Sequence, residues 1–549
     1  MISTIKPLAN RRYEKVSLAM KQIIVLFIIA SISGSCASVK KFNRDLKVLH
    51  AEKDLVSDID YVYDRLQKLH PQLYLYTSKE DLDFKFDSLK SSIIAPMSST
   101  DFYFKLSPVI ASVKQGHTLL HPLNKEITLK ELFDNGTNGR SALHQLDFDL
   151  FDNKLYVVKN NSGNNNINVG SEIIKINNYK PQDLISKYRN TVSSDGFNLT
   201  YVNRKLSNEF ADYFFNETGF VDSIACQFIY NDTVKTVLLR HKKRSLSREN
   251  MKSREQKASE KETRKKDSKK REEQGYNWAT KTYTKDLSFL ETDSSIALLR
   301  INNFYDGNYG EFYSRSFKLL DSLKTKNLIL DLRDNPGGKL IDAKVLFSYL
   351  VDSTFIFVEK SEVVSKNSIL KANYFKGNPW YLNVLLGILY PRELLSRGFS
   401  YLLLNRKEEG NTYYYHTQGS IESRPKANNY KGNLYVIING GSFSAASILA
   451  ANLRSLQNVV FVGEETGGAA NGAVAGKMAL YILPESKLKI SFGLLAVKPF
   501  YQTGTEGRGI LPDIVITPTV EDKINEVDPE LEWIFNDIDK RTSKNLEIH

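Results

Sequence analysis

The sequence predicts a multi-domain α/β protein, and three observations carry that reading. Between residues 276 and 525, apolar strand-like runs alternate with amphipathic helical stretches, the pattern of a largely parallel sheet covered by helices. Ahead of that core the texture differs: residues 37–140 hold helical periodicity, and residues 141–241 hold short β-rich runs. At 549 residues the chain is also longer than one hydrophobic core usually organises.

Taken in order, residues 1–36 form a leader. From Met20 it reads MKQIIVLFIIASISGSC: a lysine, an apolar run of about ten residues, then small residues before Cys36. That run is too short for a membrane-spanning helix. Small residues meeting a cysteine resemble a bacterial lipoprotein signal, in which Cys36 is lipidated; an uncleaved anchor helix with an incidental cysteine is the alternative. The helical domain follows, with DIDYVYDRLQKL and DFYFKLSPVIASV periodic in apolar residues and Ser99, Thr100 and Asp101 as N-cap candidates for the second. From Ala142 the runs FDLF, KLYVVK, SEIIKIN and VKTVLLR are separated by Asn and Gly turns. Their order, with the helix PQDLISKYRN after the third, resembles a PDZ domain, a fold that adds peptide ends to a sheet edge. No carboxylate-binding glycine loop is evident, so a purely structural β-subdomain stands beside that reading.

Residues 242–275 are a charged insertion. Between Lys242 and Glu273 there are 14 Lys or Arg against 7 Asp or Glu, so this segment supplies most of the net charge of +12. It mixes both signs and lacks an apolar stripe, which predicts a solvated, disordered run rather than a nucleic-acid-binding surface. In the core the strand-then-helix rhythm runs SIALLRIN, NLILDLRD before KLIDAKVLFSYLV, NLYVIING before SAASILAANLRSL, then NVVFVGEE. An apolar, aromatic insertion at 376–404 interrupts it, either a lid or ordinary packing, and Pro391 keeps it from spanning a bilayer. Residues 526–549 close the chain with a helix. Two cysteines, Cys36 and Cys226, exclude a disulfide framework.

The chemistry gathers at two strand-to-helix junctions. LYVIINGGSFSAASILAANL places Ser442, Ser444 and Ser447 where unsatisfied N–H groups and the positive end of a helix favour developing negative charge. A serine there is sited for nucleophilic attack or simply caps the helix. In LILDLRDNPGGKL, the turn at Gly337 and Gly338 offers further amides at the same sheet edge. Neither PGGKL nor Gly476-Lys477 has phosphate-loop spacing.

With NGGSFSAAS, DLRDNPGG, VGEETGG and GTEGRGILPDIVITPT in this order, and LHPQLYLY and VKQGHTLL ahead of them, the chain resembles the C-terminal-processing or tail-specific serine peptidases from about residue 51 to 540. That resemblance implies a crotonase/ClpP-like α/β peptidase core and Ser444 as nucleophile, with Ala446 in place of a third serine. It implies an oxyanion hole from the N–H of Ala445 and of Gly337 or Gly338. Many members carry a lysine base after the VGE motif, where this chain has Ala469; Lys477 belongs to a different motif and needs its pKa lowered by about three units to serve. The tricorn-like branch instead uses a histidine from the helical part and a glutamate before a GxxPD motif, which implies His117 and Glu506. A histidine base works near neutrality without extreme tuning. His117 and His121, four residues apart, lack the third ligand and the HExxH context of a zinc site, so neither metal nor organic cofactor is expected. The expected protein is an exported, lipid-anchored serine endopeptidase of the bacterial cell envelope acting on polypeptide through an acyl-enzyme, without nucleic-acid partner. Its rival is a catalytically inactive peptide-binding lipoprotein of the same fold.

Overall fold

The computed structural model describes residues 41–124, 142–219, 221, 223–241, 268–278, 280–289, 294–371, 405–407, 412–502, 504 and 506–547. The leader with Cys36, most of the charged insertion, and the apolar segment 376–404 lie outside the described residues.

Helices α1 (Glu52–Leu69), α2 (Lys79–Ser91) and α3 (Ser99–Ala111) open the described chain. The third starts one residue earlier than the expected caps: the Ser98 hydroxyl accepts the Asp101 N–H and donates to the Asp101 carboxylate. This region does not close a core of its own. Leu55, Ile59, Val62, Leu66, Phe102 and Leu106 pack against Leu483, Leu488, Ile490, Phe492 and Leu494, which belong to a β-hairpin of the α/β core far along the chain. Buried Asp58 accepts the N–H groups of Glu485 and Ser486 at that hairpin's turn. Three short helices with one narrow apolar stripe each cannot enclose a core, so they borrow the hairpin as a floor.

After α3 the chain turns through Gln115–Thr118 into β1 (Leu119–His121). The middle region is a five-stranded antiparallel sheet, β2 (Leu146–Phe151), β3 (Lys154–Asn160), β4 (Glu172–Ile176), β5 (Ser223–Tyr230) and β6 (Thr233–Arg240), in that spatial order. Helices α4 (Pro181–Arg189) and α5 (Thr200–Thr218) share its core. The 19-residue α5 is not among the elements expected from the sequence, although its buried Val202, Leu206, Phe210, Tyr213 and Phe214 keep helical spacing. Aromatic and β-branched residues favour strands, and a flanking β-rich texture hides such a stripe.

Residues 268–274 correct the expected extent of the charged insertion. They are helical, and Glu273 and Gln274 are buried, with Glu273 paired to Arg315 at 2.9 Å. A short hairpin, β7 (Tyr276–Asn277) and β8 (Thr282–Tyr283), leads into the core. There β9 (Lys285–Phe289) lies antiparallel at the edge of a sheet whose other strands are parallel: β10 (Ile296–Ile301), β11 (Asn327–Asp331), β15 (Asn433–Ile438), β16 (Val459–Gly463) and β19 (Ile514–Val515). Helices α6 (Tyr309–Ser322), α7 (Leu340–Ser348) and α8 (Ala445–Leu453) cover one face. After the capping-box turn α9 (Val520–Ile524), the C-terminal helix α10 (Pro529–Glu547) sets Ile534 and Ile538 on the other face. With both faces covered, β11 is buried at every position, the reason parallel strands read as continuous apolar runs.

A second sheet orders β1, β18 (Lys489–Val497), β12 (Ser361–Val363), β14 (Tyr413–Tyr415) and β13 (Asn405–Lys407), with β17 (Ala473–Ile482) also paired to β18. The pairing of β1 with β18, Leu119 opposite Ser491, stitches the N-terminal region to the core and places the turn that holds His117.

Candidate active site

At the end of β15 the chain turns through Asn439–Phe443 and enters α8 with Ser444 at the N-cap, φ 56° and ψ −120°. A non-glycine residue in this region costs of order 1–3 kcal/mol and persists only where its surroundings over-determine it. They do so here. The Asn439 carboxamide oxygen accepts the N–H groups of Gly441 and Asp334, tying this turn to the turn after β11. Ser442 is fully buried: its hydroxyl donates to the Leu332 carbonyl at 2.8 Å and accepts the Asn439 N–H. Ser447 donates to the Ser442 carbonyl at 2.7 Å. Two of the three serines therefore have their hydroxyls committed to backbone carbonyls, and Ser444 Oγ is the one that meets a histidine, 3.1 Å from His117 Nε2.

The second junction is clamped from three sides. Asn335 donates to the Ile301 carbonyl and accepts the Gly337 N–H at 2.9 Å, while the Gly337 carbonyl accepts the Phe304 N–H. At Gly337, φ is +92°, and a Cβ there would stand 2.7 Å from Ser444 Cβ and 2.8 Å from the Ala445 nitrogen. The turn therefore lies directly against Ser444, and only glycine allows the approach. Of the three expected oxyanion donors, Gly337 has its N–H occupied by Asn335. The N–H groups of Gly338 and Ala445 have no acceptor among the described residues.

His117 reaches this edge from the turn before β1, where the Gln115 side chain accepts the Val474 N–H. Its ring lies on Phe443, centroids 4.8 Å apart and planes within 25°, and Phe443 lies on Tyr201 of α5 at 4.4 Å and 21°. Burial pushes the His117 pKa down to about 4, favouring the neutral imidazole a base requires. Its Nδ1 is buried and has no partner among the described residues.

The other expected residues fall differently. Glu506 is exposed in a turn whose charge reaches Tyr76, and no hydrogen bond joins it to His117. The segment after it is fixed by Glu465: burial opposes ionisation there, but the Arg508 guanidinium and the Gly509 N–H hold the carboxyl below its usual range. Ala469 forms a backbone bridge to Gly509. Lys477 sits at the irregularity in β17 between Ala475 and Met478. His121 is bonded to Ser491 at 2.7 Å, so the two histidines engage different partners. Phe443, Tyr201, Asn335 and Asp195 surround the site without having stood out in the sequence. An SSDGFN stretch reads only as a turn, and the role of Phe443 depends on a ring brought from another region.

Residues 295–516 match peptidase family S41. Among solved structures, mature CPAF complexed with lactacystin is similar over 91% of this chain and 99% of its own, with 13% identity and a TM-score of 0.60. A second structure of mature CPAF covers 86% and 94% of the respective chains, with 15% identity and a TM-score of 0.54. At these identities the likeness is one of fold. No curated relative matches by sequence.

Proposed function

We propose, for a chain that belongs to the serine peptidases of family S41, that Ser444 is the nucleophile, His117 the general base, and the N–H groups of Ala445 and Gly338 the oxyanion donors. The 3.1 Å contact between Ser444 Oγ and His117 Nε2, at a strained helix N-cap, carries this reading. Ser444 attacks the scissile carbonyl carbon while its proton passes to Nε2. The oxygen that gains charge meets two amides already oriented for it, so little reorganisation is needed in the transition state. As the intermediate collapses, the proton moves from Nε2 to the leaving amine. A water then repeats the cycle on the acyl-enzyme, with His117 again as base. This chemistry needs the Nδ1–H tautomer, which leaves Nε2 free to accept.

Labelling with a fluorophosphonate probe tests the reading and separates it from an inactive peptide binder. Wild type labels at Ser444, Ser444→Ala does not, and His117→Ala labels at least about a hundredfold more slowly. An unlabelled but folded wild type would mean a binding protein.

Two finer parts of the reading concern location and delivery. The apolar run ending at Cys36 supports export with lipid attachment at that residue; intact mass should carry the lipid increment, and an unmodified Cys36 ends the idea. The five-stranded sheet stands as a PDZ-like module for polypeptide ends. It should bind a peptide with a free carboxyl terminus more tightly than its amidated form, and equal affinities would leave it structural.

A further inference from the structure

We propose that Asp195 is the positioning residue of His117, the carboxylate that holds the imidazole in the working tautomer and balances its charge, in the place the family resemblance gives to Glu506. The inference rests on His117 being the base.

Four observations converge. Asp195 is 1% exposed, and its Oδ1 accepts the N–H of Gly116, the residue immediately before His117, at 2.7 Å. The Ala469 N–H is directed to the same carboxylate, so the segment that carries lysine in many relatives instead supports Asp195. The spacing around Gly116 is tight: a Cβ there would stand 2.6 Å from the Phe443 ring and 3.1 Å from Asp195 Oδ1, which puts the carboxylate beside the same ring that His117 stacks upon. Finally, Asp195 Oδ2 and His117 Nδ1 are both buried polar atoms without a partner among the described residues. An acceptor and a ring nitrogen left unsatisfied on neighbouring groups are costly apart, and each supplies what the other lacks through a small rotation or one bridging water.

Among the described residues Asp195 has no other counter-charge. Burial raises its pKa to about 7, opposed by the two backbone N–H groups, with no lysine or arginine contributing. The titratable groups that face it are Tyr76 and Tyr201, both neutral near pH 7, and Glu506 reaches only as far as Tyr76. Lys114 turns its ammonium to the face of Phe197, 4.1 Å from the ring centroid. The cation that matches Asp195 is therefore the imidazolium formed when Ser444 gives up its proton. Backbone and side-chain bonds hold the Asp195 segment in place for this role. The Gly196 N–H donates to the Lys114 carbonyl, the Phe197 N–H to the Gly507 carbonyl, and the Asn198 side chain to the Thr466 carbonyl.

The proposal is tested by the rate of Ser444 phosphonylation by a fluorophosphonate as a function of pH. In this step Oγ attacks phosphorus, fluoride leaves, and the Oγ proton goes to His117. Asp195→Asn keeps an acceptor for Gly116 but removes the charge. It should slow the plateau rate by about a hundredfold or more and move the acid limb to lower pH, because losing the carboxylate removes support for imidazolium. Glu506→Gln should move that limb less. In a His117→Ala background, Asp195→Asn should add no further loss. An unmoved acid limb in Asp195→Asn, or a full additional loss without His117, overturns the proposal and leaves Asp195 structural. Wild-type labelling by His117→Ala defeats the base assignment itself, a separate result. Independently of any variant, the ¹⁵N spectrum of the wild type should place the His117 proton on Nδ1 at neutral pH; a proton on Nε2 overturns the proposal.

Discussion

The two halves of the site are built by different means. Ser444 and the Gly337–Gly338 turn sit on adjacent parallel strands, β15 and β11, and each follows its strand within a few residues. Their spacing is fixed by sheet geometry, by the Asn439 side chain that accepts the Asp334 N–H, and by the Asn335 carbonyl that accepts the Phe443 N–H. His117 instead arrives on a loop from another region, held by the β1–β18 pairing, the Phe443 stack and the Asp195 bond to Gly116. The Ser444 side follows from one local pattern repeated, whereas the His117 side exists only when three distant segments dock. Disturbance of the first should act on activity with the fold intact, and disturbance of the second should loosen His117 while Ser444 keeps its strained N-cap geometry.

The largest effect should come from the atoms that react. Ser444→Ala should reduce casein hydrolysis by about 10⁴- to 10⁶-fold with an unchanged melting temperature, and His117→Ala should come close to it, since members of such a unit fail together. Next comes Gly337→Ala. A Cβ at that position meets Ser444 Cβ and the Ala445 nitrogen, so kcat should fall by about 10²- to 10³-fold, the scale of losing one oxyanion donor. A near-normal kcat would mean that the turn is not part of the hole. On the base side, Tyr201→Leu removes the lower ring of the stack beneath Phe443. It should lower kcat only severalfold and leave KM in place, measured by steady-state hydrolysis; loss as large as that of Gly337→Ala would show that both halves are equally rigid.

The smallest effect separates His70, which packs in the interior, from His117, which meets Ser444. His70 is buried, bonded through Nε2 to Thr118 Oγ1 at 3.2 Å, and burial pushes its pKa down to about 3. The unfolded chain takes up a proton near pH 6.5 that the folded chain refuses. The stability from neutral His70 is therefore complete above about pH 6.5 and is lost as pH falls toward 3. His70→Gln should flatten the decline of melting temperature over that window while leaving the acid limb of the labelling rate unmoved. An equal slope in variant and wild type would refute the assignment.

Much of this organisation is legible in the residue pattern. Parallel strands covered on both faces read as apolar runs, so β10, β11, β15 and β16 stand out, and the glycine-rich ends of β11 and β15 mark where a ligand edge forms. Which of the three serines faces His117 is less legible. Ser442 and Ser447 are set apart from Ser444 by hydroxyls directed to the Leu332 and Ser442 carbonyls, and Ser444 by its positive-φ N-cap backbone. Helix α5 and the helical stretch 268–274 escape because their neighbours dominate the local texture, and burial of Glu273 is decided by Arg315 on α6.

The sequence by itself determined the α/β core, the two strand-to-helix junctions and the chemical types available at them, because strand burial, helix entry and glycine turns are short-range consequences of residue order. Only the tertiary structure decided which groups meet. It bonded Ser442 to the Leu332 carbonyl, joined the helical region to the β17–β18 hairpin, kept Glu506 in an exposed turn, and set buried Asp195 against the loop of His117. Those outcomes turn on contacts between residues tens to hundreds of positions apart, where the cost of leaving a buried polar atom unpaired, and not any local preference, selects the partner.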